Sequence, residues 1–371
     1  VPWRVERADF EDGRNGHLII DDESFQPHPE AIEFVAAMYA TDRSPNTVRT
    51  YLRPVAEFLN WGESQGVDWR RVTILDMARF KRSLETTATR TGRVRAPSTV
   101  SVHLTAVCEF LRYCAAAELI ASEVPMQLVE RKWMPRAAGH GPKMESGYVR
   151  HVRASALRVR PVEHAPETLS KDQQQAMIDG TSTARDLFLF RLLLDAGLRI
   201  GEALGLRWED MHFLPDSSSL GCPLPDAHVH VLRRPENING ALAKSPRSRA
   251  VPVHDSLVRL YRDYRFERDE KLTEIEVCGF VFVNYTGPRT GQAMSYSNVY
   301  QFVKRHAARQ GFRATPHMFR HTAATGWVES GVKADVVQEL LGHAQASSTK
   351  VYLHPSHERM REAVNAVSGS R

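Results

Sequence analysis

Apolar residues recur at helical spacing through the first third of the chain. Val48, Tyr51, Leu52, Val55, Phe58 and Leu59 predict one long helix. Ser44-Pro45 supplies its cap and a proline at the first helical position. Pro54 falls inside the pattern and predicts a kink or break. A helix over 30–40 should precede it, and a shorter one from Ile74 to Leu84 should follow. Ser98 is the expected cap of a fourth helix carrying Val100, Leu104, Val107, Phe110, Leu111 and Cys114. Residues 86–97 are polar and read as a loop, basic through Arg90, Arg93 and Arg95. Residues 1–29 carry Asp9, Glu11, Asp12, Asp21, Asp22 and Glu23 and read as an acidic, irregular extension, unsuited to holding DNA.

The pattern changes after a basic stretch. Ser170 caps a helix with Gln173 and Gln174 near its first turn, and Asp186 to Gly197 is apolar enough for a buried helix. Residues 228–233 alternate as a strand, Asn239-Gly240 signals a hairpin turn, and Arg249 to Val253 reads as a second strand. Phe280 to Asn284 reads as one more, before helical patterns return over 295–371. The expected fold is mainly α with a small antiparallel β-sheet. Its expected parts are an extension over 1–29, a helical domain over 30–125, a basic linker over 126–165 and a second domain over 166–371. A length of 371 residues, more than one core usually serves, fits two domains. Taken alone, the first helical domain suits a small DNA clamp and a generic bundle equally.

Charge adds a candidate partner. The net charge is +5, weak evidence by itself, but its distribution is uneven. Residues 131–160 hold Arg131, Lys132, Arg136, Lys143, Arg150, Arg153, Arg158 and Arg160 against one acid, Glu145. Such a run can neutralise phosphates and release counterions. No apolar stretch approaches the ~18–20 residues of a membrane span, and no apolar run follows the first charges as in a signal peptide. The four cysteines, Cys108, Cys114, Cys222 and Cys278, form no Cys-x-x-Cys pair. A reducing, cytoplasmic compartment is expected, without a zinc ribbon.

Four clusters carry candidate chemistry. Arg199 follows a glycine where one helix ends and another begins, so its guanidinium can meet a phosphate in bidentate fashion. Glu202, one turn later, could orient it. Lys244 follows the hairpin turn and could donate a proton to a leaving oxygen. His317 and Arg320 share a helical face. His317 and His321 also have the spacing of a zinc-binding helix, but Met318 stands where a metalloprotease needs Glu. Last come Leu340-Leu-Gly-His343 and Tyr352, which is a nucleophile candidate only if cations converge on the same phosphate.

Arg199, Lys244, His317-x-x-Arg320, His343 and Tyr352, in this order, resemble the tyrosine recombinase (phage integrase) family. Gly197-Leu-Arg-Ile-Gly-Glu202, Arg320-His-Thr322 and Gly342-His343 read like its boxes, and Ser44-Pro-Asn-Thr-Val-Arg-Thr-Tyr51 like the first long helix of its core-binding domain. Asn237-x-Asn-Gly-x-x-Ala-Lys-Ser245 is similar to integrases of transposons. The resemblance implies a C-shaped clamp made of a SAM-like helical domain and a catalytic domain. It implies strand cleavage by Tyr352 through a 3′-phosphotyrosyl bond and a four-way junction, with no metal, nucleotide or other cofactor. Arg199 and Arg320 would clamp the phosphate and His343 would bond it. His317 would accept a proton or bind the phosphate, Lys244 would protonate the leaving 5′ oxygen, and Glu202 would orient Arg199. His321 reads as a structural hydrogen-bonding residue. The implied partner is duplex DNA at specific sites, bound by a homotetramer that exchanges a last helix over 358–367, in the cytoplasm at the nucleoid. A type IB topoisomerase and a DNA-binding regulator without catalysis are the competing readings.

Overall fold

The computed structural model describes residues 2–10, 15–89, 91–135, 147–160, 165–214, 216–234, 237–243, 245, 248–273, 277–342 and 352. The chain forms two compact units, Val1–Glu163 and His164–Arg371.

The first unit is helical around one core. Its helices are α1 (Pro29–Ala40), α2 (Pro45–Gln65), α3 (Ile74–Thr86), α4 (Pro97–Ala116) and the short α5 (Glu123–Met126). The Ser44 hydroxyl caps α2 by accepting from the Thr47 amide. Helix α2 runs through Pro54 without a break in its assignment, contrary to expectation. A helix-interior proline costs about 3 kcal/mol, but Leu52, Val55, Phe58 and Leu59 are sealed in the core on both sides of it. Their burial, about 1.5–3 kcal/mol per side chain, outweighs that cost. Helix α4 starts two residues earlier than the Ser98 cap implied. Pro97 takes the first helical position and Ala96 the cap, because a proline there has no amide to satisfy.

The extension expected to be irregular is instead an antiparallel hairpin, β1 (Trp3–Asp9) paired with β2 (Asn15–Asp21). It docks on α2: the Trp3 amide donates to Asn60 Oδ1 at 2.9 Å and Asn60 Nδ2 donates back to the Trp3 carbonyl at 2.7 Å. Acidic residues mask the hairpin: in β1 Val5 stands between Arg4 and Glu6, and in β2 the short apolar run Leu18-Ile19-Ile20 is followed at once by Asp21 and Asp22. The basic stretch also holds a ribbon, β3 (Val129–Pro135) paired with β4 (Gly147–Arg153).

The second unit packs around helix α7 (Ala184–Asp195), whose Phe188, Leu189, Leu192 and Leu193 are fully buried. Helix α6 (Lys171–Asp179) precedes it, started by a capping box of Ser170 and Gln173. Helices α8 (Ile200–Leu204), α9 (Asp255–Lys271), α10 (Tyr296–Arg309), α11 (Pro316–Glu329) and α12 (Ala334–Leu341) follow. One three-stranded antiparallel sheet, in the order β5 (Met211–His212), β6 (His228–Val231), β7 (Arg249–Pro252), covers part of the core. Phe280 to Asn284, expected as a strand, makes only isolated bridges among the described residues. Arg268 explains this: its guanidinium donates to the Phe280 and Val281 carbonyls at 2.7 and 2.8 Å, bonds that a ladder would otherwise make. Among the described residues no helix is long and apolar enough to cross a membrane.

Candidate active site

The site begins where α7 ends. Gly197 has φ +61, and a Cβ there would lie 2.7 Å from the Trp327 ring, so only glycine lets the chain turn here. Two residues later Arg199 is the N-cap of α8. Its amide donates to Glu202 Oε2 at 2.9 Å and its Nη1 to Oε1 at 2.9 Å.

Glu202 is wholly buried, and three arginines meet it. Arg249 Nη2 lies 2.8 Å from Oε2, and Arg320 Nη1 lies 3.7 Å from the same oxygen. Arg249 comes from β7 and Arg320 from α11, so the carboxylate ties α8, the sheet and α11 together. Burial alone would raise its pKa, yet the guanidinia hold it below the ordinary carboxylate value.

The arginines also close the end of α12. Arg320 Nη2 donates to the Leu341 carbonyl at 2.5 Å, Arg249 Nε to the Leu340 carbonyl at 2.9 Å, and Arg199 Nη1 reaches Leu341 O at 3.5 Å. The last carbonyls of a helix lack intrahelical partners and carry its negative end, so cations are favoured there. Gly342 ends the helix with φ +61, and a Cβ on it would lie 2.7 Å from Arg249 Nη1. Arg320 is anchored further by a 2.8 Å bond to the Gly197 carbonyl. It is 1% exposed, whereas the Arg199 side chain keeps 24% of its surface. Burial first, then Arg199, pulls the Arg320 pKa down to about 9, which leaves it charged at neutral pH.

Tyr352 is 8% exposed and packs with Ala324, Val328, Val337 and Leu341. Its hydroxyl lies in hydrogen-bond contact with His321 Nδ1 at 2.7 Å. His317 sits one turn away, edge-on to His321 with ring centroids 4.1 Å apart. Burial pushes the Tyr352 pKa up, opposed by Arg320 and Arg199.

Of the residues singled out from sequence, the structure brings together Arg199, Glu202, Arg320 and Tyr352, with His317 alongside. Lys244, His343 and the last helix over 358–367 lie outside the described residues. Two contacts of the cluster are not legible in the sequence: that of Arg249 with Glu202, and that of His321 with the tyrosine. An arginine on the same strand face as buried Val251 was the available signal for the first, since a charge there needs a buried partner. The basic residues divide. Arg93, Arg131 and Lys132 are exposed, while Arg95 pairs with Glu57, Arg153 donates to Thr105 and Arg158 pairs with Glu130 at 2.8 Å. Arg90, Arg136 and Lys143 lie outside the described residues, and only the backbone of Arg150 is described.

His321 sets a pH dependence. Burial first, then His317 and Arg320, lowers its pKa from 6.5 to about 4. The unfolded chain therefore binds this proton before the folded one does. The contribution to stability is complete above pH 6.5 and is lost as pH falls through about 4. His321→Gln, which keeps an acceptor but cannot titrate, is expected to flatten the fall in thermal midpoint across that window. A slope equal to the parent's would remove His321 from the account.

Comparison with known proteins gives this cluster a context. The model of the phage integrase family matches residues 167–359, and that of the phage integrase N-terminal SAM-like domain matches residues 32–118. Transposase A from transposon Tn554 of Staphylococcus aureus (strain N315) is 27% identical over 377 residues, covering 98% of this chain and 97% of the relative. Tyrosine recombinase XerD of Lacticaseibacillus casei is 27% identical over 268 residues, covering 72% and 75%. The fold is similar to that of the XerH site-specific recombinase in its post-cleavage complex with palindromic difH substrate. That match has a TM-score of 0.59 at 19% identity and covers 88% of this chain and 81% of the other.

Proposed function

The chain belongs to the phage integrase family and is a tyrosine recombinase, and on that premise we propose that Tyr352 cuts and rejoins DNA strands at specific sites. One observation carries the reading. The Tyr352 hydroxyl bonds a histidine on the same helix as Arg320, and Arg320 shares a buried carboxylate with Arg199.

Phosphoryl transfer needs positioning and charge stabilisation more than covalent help from the protein. Arg199 and Arg320 would hold the non-bridging oxygens of the scissile phosphate. Glu202 and Arg249 would fix both guanidinia. Tyr352 Oη attacks phosphorus, the bond to the 5′ oxygen breaks, and a 3′-phosphotyrosyl bond forms. The phenolic proton leaves through its hydrogen bond to His321 or through His317. With its pKa lowered, His321 is a weak base, so it serves chiefly to aim the hydroxyl. Lys244 would protonate the departing 5′ oxygen, and His343 would bond the phosphate. The bond energy is conserved, so a 5′ hydroxyl from a partner strand can displace Tyr352 and reseal the chain without ATP. Two such rounds pass through a Holliday junction.

The partner is double-stranded DNA carrying a recombination site. Of the basic residues proposed to meet its backbone, Arg93, Arg131 and Lys132 are exposed. The β3–β4 register sets Lys132 opposite Arg150 on the backbone of the ribbon. The extension over 1–29, the helical core-binding domain over 30–125, the linker over 126–165 and the catalytic domain over 166–371 are the proposed division of labour. A homotetramer joined by exchange of the helix over 358–367, acting in the cytoplasm at the nucleoid, completes the proposal.

The test starts from a target sequence selected by binding from random DNA. That sequence is placed in an end-labelled duplex with a nick beside the cleavage point. A denaturing gel is expected to show label retained on protein, and paired sites are expected to yield exchanged products. Relaxed circles without exchange would favour a topoisomerase, and no adduct at any site would remove the nucleophile.

A further inference from the structure

A second cluster lies in the second unit, among residues with no part in the chemistry above. His212 ends β5, and its register partner across the sheet is His228 on β6. His230 is two residues along β6, so it projects from the same face as His228. The chain between the strands makes a 3-10 turn over Ser217–Leu220, reverses at Gly221 with φ +73, and brings back buried Cys222. One ligand-capable atom from each of these four residues lies within 4.8 Å of all the others.

We propose that His212, Cys222, His228 and His230 bind one zinc ion in a closed, structural site. Three of the distances approach the edges of a tetrahedron. Zn–N bonds of about 2.05 Å and a Zn–S bond of about 2.3 Å give edges of about 3.3 Å between nitrogens and about 3.6 Å between sulfur and nitrogen. Cys222 Sγ lies 3.3 Å from His228 Nε2 and 3.5 Å from His230 Nε2, and the two nitrogens are 2.9 Å apart. Binding asks these three atoms to spread by a few tenths of an ångström and the His212 nitrogen, within 4.8 Å of each of them, to close on the same point.

The outer nitrogens are already committed. His228 Nδ1 faces the Asp226 carbonyl at 2.5 Å and His212 Nε2 faces the Glu209 carbonyl at 3.2 Å. A carbonyl only accepts, so both outer nitrogens carry the proton, and the inner nitrogens of the neutral rings present bare lone pairs. Histidine ligands of metals are oriented by this kind of bond. His212 Nδ1 is buried and has no hydrogen-bond partner. A buried acceptor left unmatched costs about 1–3 kcal/mol. A hydrogen-bonded cluster without an ion can supply only the proton of His230 and that of the thiol to these inward lone pairs. A divalent cation satisfies all of them at once. Three imidazoles and a thiolate suit zinc better than calcium or magnesium, which take oxygen ligands. On binding, Cys222 loses its proton to solvent, and the ring proton of His230 resides on Nδ1. With four protein ligands there is no open position for a reacting water, so the ion staples the β5–β6 connection to the sheet and takes no part in strand transfer.

The test uses the full-length, tag-free chain. After gel filtration in metal-free buffer, elemental analysis is expected to find about one zinc per chain. Apo protein made by chelation and dialysis is then titrated with Co²⁺. Tetrahedral ligand-field bands and a thiolate-to-cobalt charge-transfer band are expected. Cys222→Ser should remove the charge-transfer band and weaken cobalt binding by more than about 100-fold, whereas Cys278→Ser should leave both unchanged. The thermal midpoint should fall on chelation and return with zinc. A purified chain without zinc, whose apo form gives no tetrahedral cobalt spectrum, would overturn the site. So would a charge-transfer band that survives Cys222→Ser. The titration reads the parent chain, so the site stays falsifiable even if a variant fails to fold.

Discussion

Tyr352→Phe should abolish the covalent protein–DNA adduct and lower strand cleavage by on the order of 10⁴-fold or more, while leaving DNA affinity within about threefold. The substitution removes one oxygen and keeps the ring. Tyr352 packs in a small apolar cluster, so the ring's contacts with Val328, Val337 and Leu341 survive. The lost hydrogen bond to His321 costs about 1 kcal/mol. A folded, DNA-binding, inert variant is therefore expected. An adduct that persists on the denaturing gel would transfer the nucleophile to another side chain and undo the reading of the whole cluster.

Arg320→Lys should lower the cleavage rate on the order of 10³-fold, although the charge is nominally kept. The guanidinium spans two carbonyls, Gly197 O and Leu341 O, from two different nitrogens. A lysine is a single point of charge and cannot hold that fork while also meeting a phosphate. It also titrates differently. The pocket lowers Arg320 from 12.5 to about 9. The same burial and neighbouring guanidinia would lower a lysine there from its ordinary pKa of ~10.4. The variant should therefore lose still more activity, relative to the parent, as pH rises from neutral to mildly alkaline. Single-turnover cleavage across that range measures both effects. A variant within tenfold of the parent, with a parallel pH profile, would show that the phosphate is held by other groups.

The helices of both units were readable because their apolar faces recur every three or four residues and their caps, Ser44 and Ser170, are of the expected chemical kind. What escaped was β structure with mixed chemistry. Hairpin β1–β2 mixes charged and apolar residues without a regular alternation and docks on α2, a partner distant in sequence. The site divided along similar lines. Arg199, Arg320 and Tyr352 sit in motifs whose order along the chain is informative. Arg249 lies 47 residues from the carboxylate it binds, and its strand carried no motif. His321 reads from sequence as a structural hydrogen-bonding residue, but that its partner is Tyr352 depends on a contact across 31 residues. The alternation of His228 and His230 was read as a strand, while the thiol that joins them arrives through an irregular loop.

The meeting of three arginines at Glu202 has a thermodynamic consequence. Three positive charges against one negative leave an excess of two, gathered where water is largely excluded. Like charges in such surroundings repel strongly, so folding the empty site works against the chain's own electrostatics. Any anion that enters in the folded state alone shifts the folding equilibrium by mass action, by about 2.7 kcal/mol when it is present at one hundred times its dissociation constant. Inorganic phosphate or sulfate should therefore act on this chain as a ligand as well as a salt, and its unfolding temperature should climb with the logarithm of their concentration. On the proposed mechanism, target DNA would deliver a phosphate to the same place and so act as a folding partner of the catalytic unit as well as its substrate.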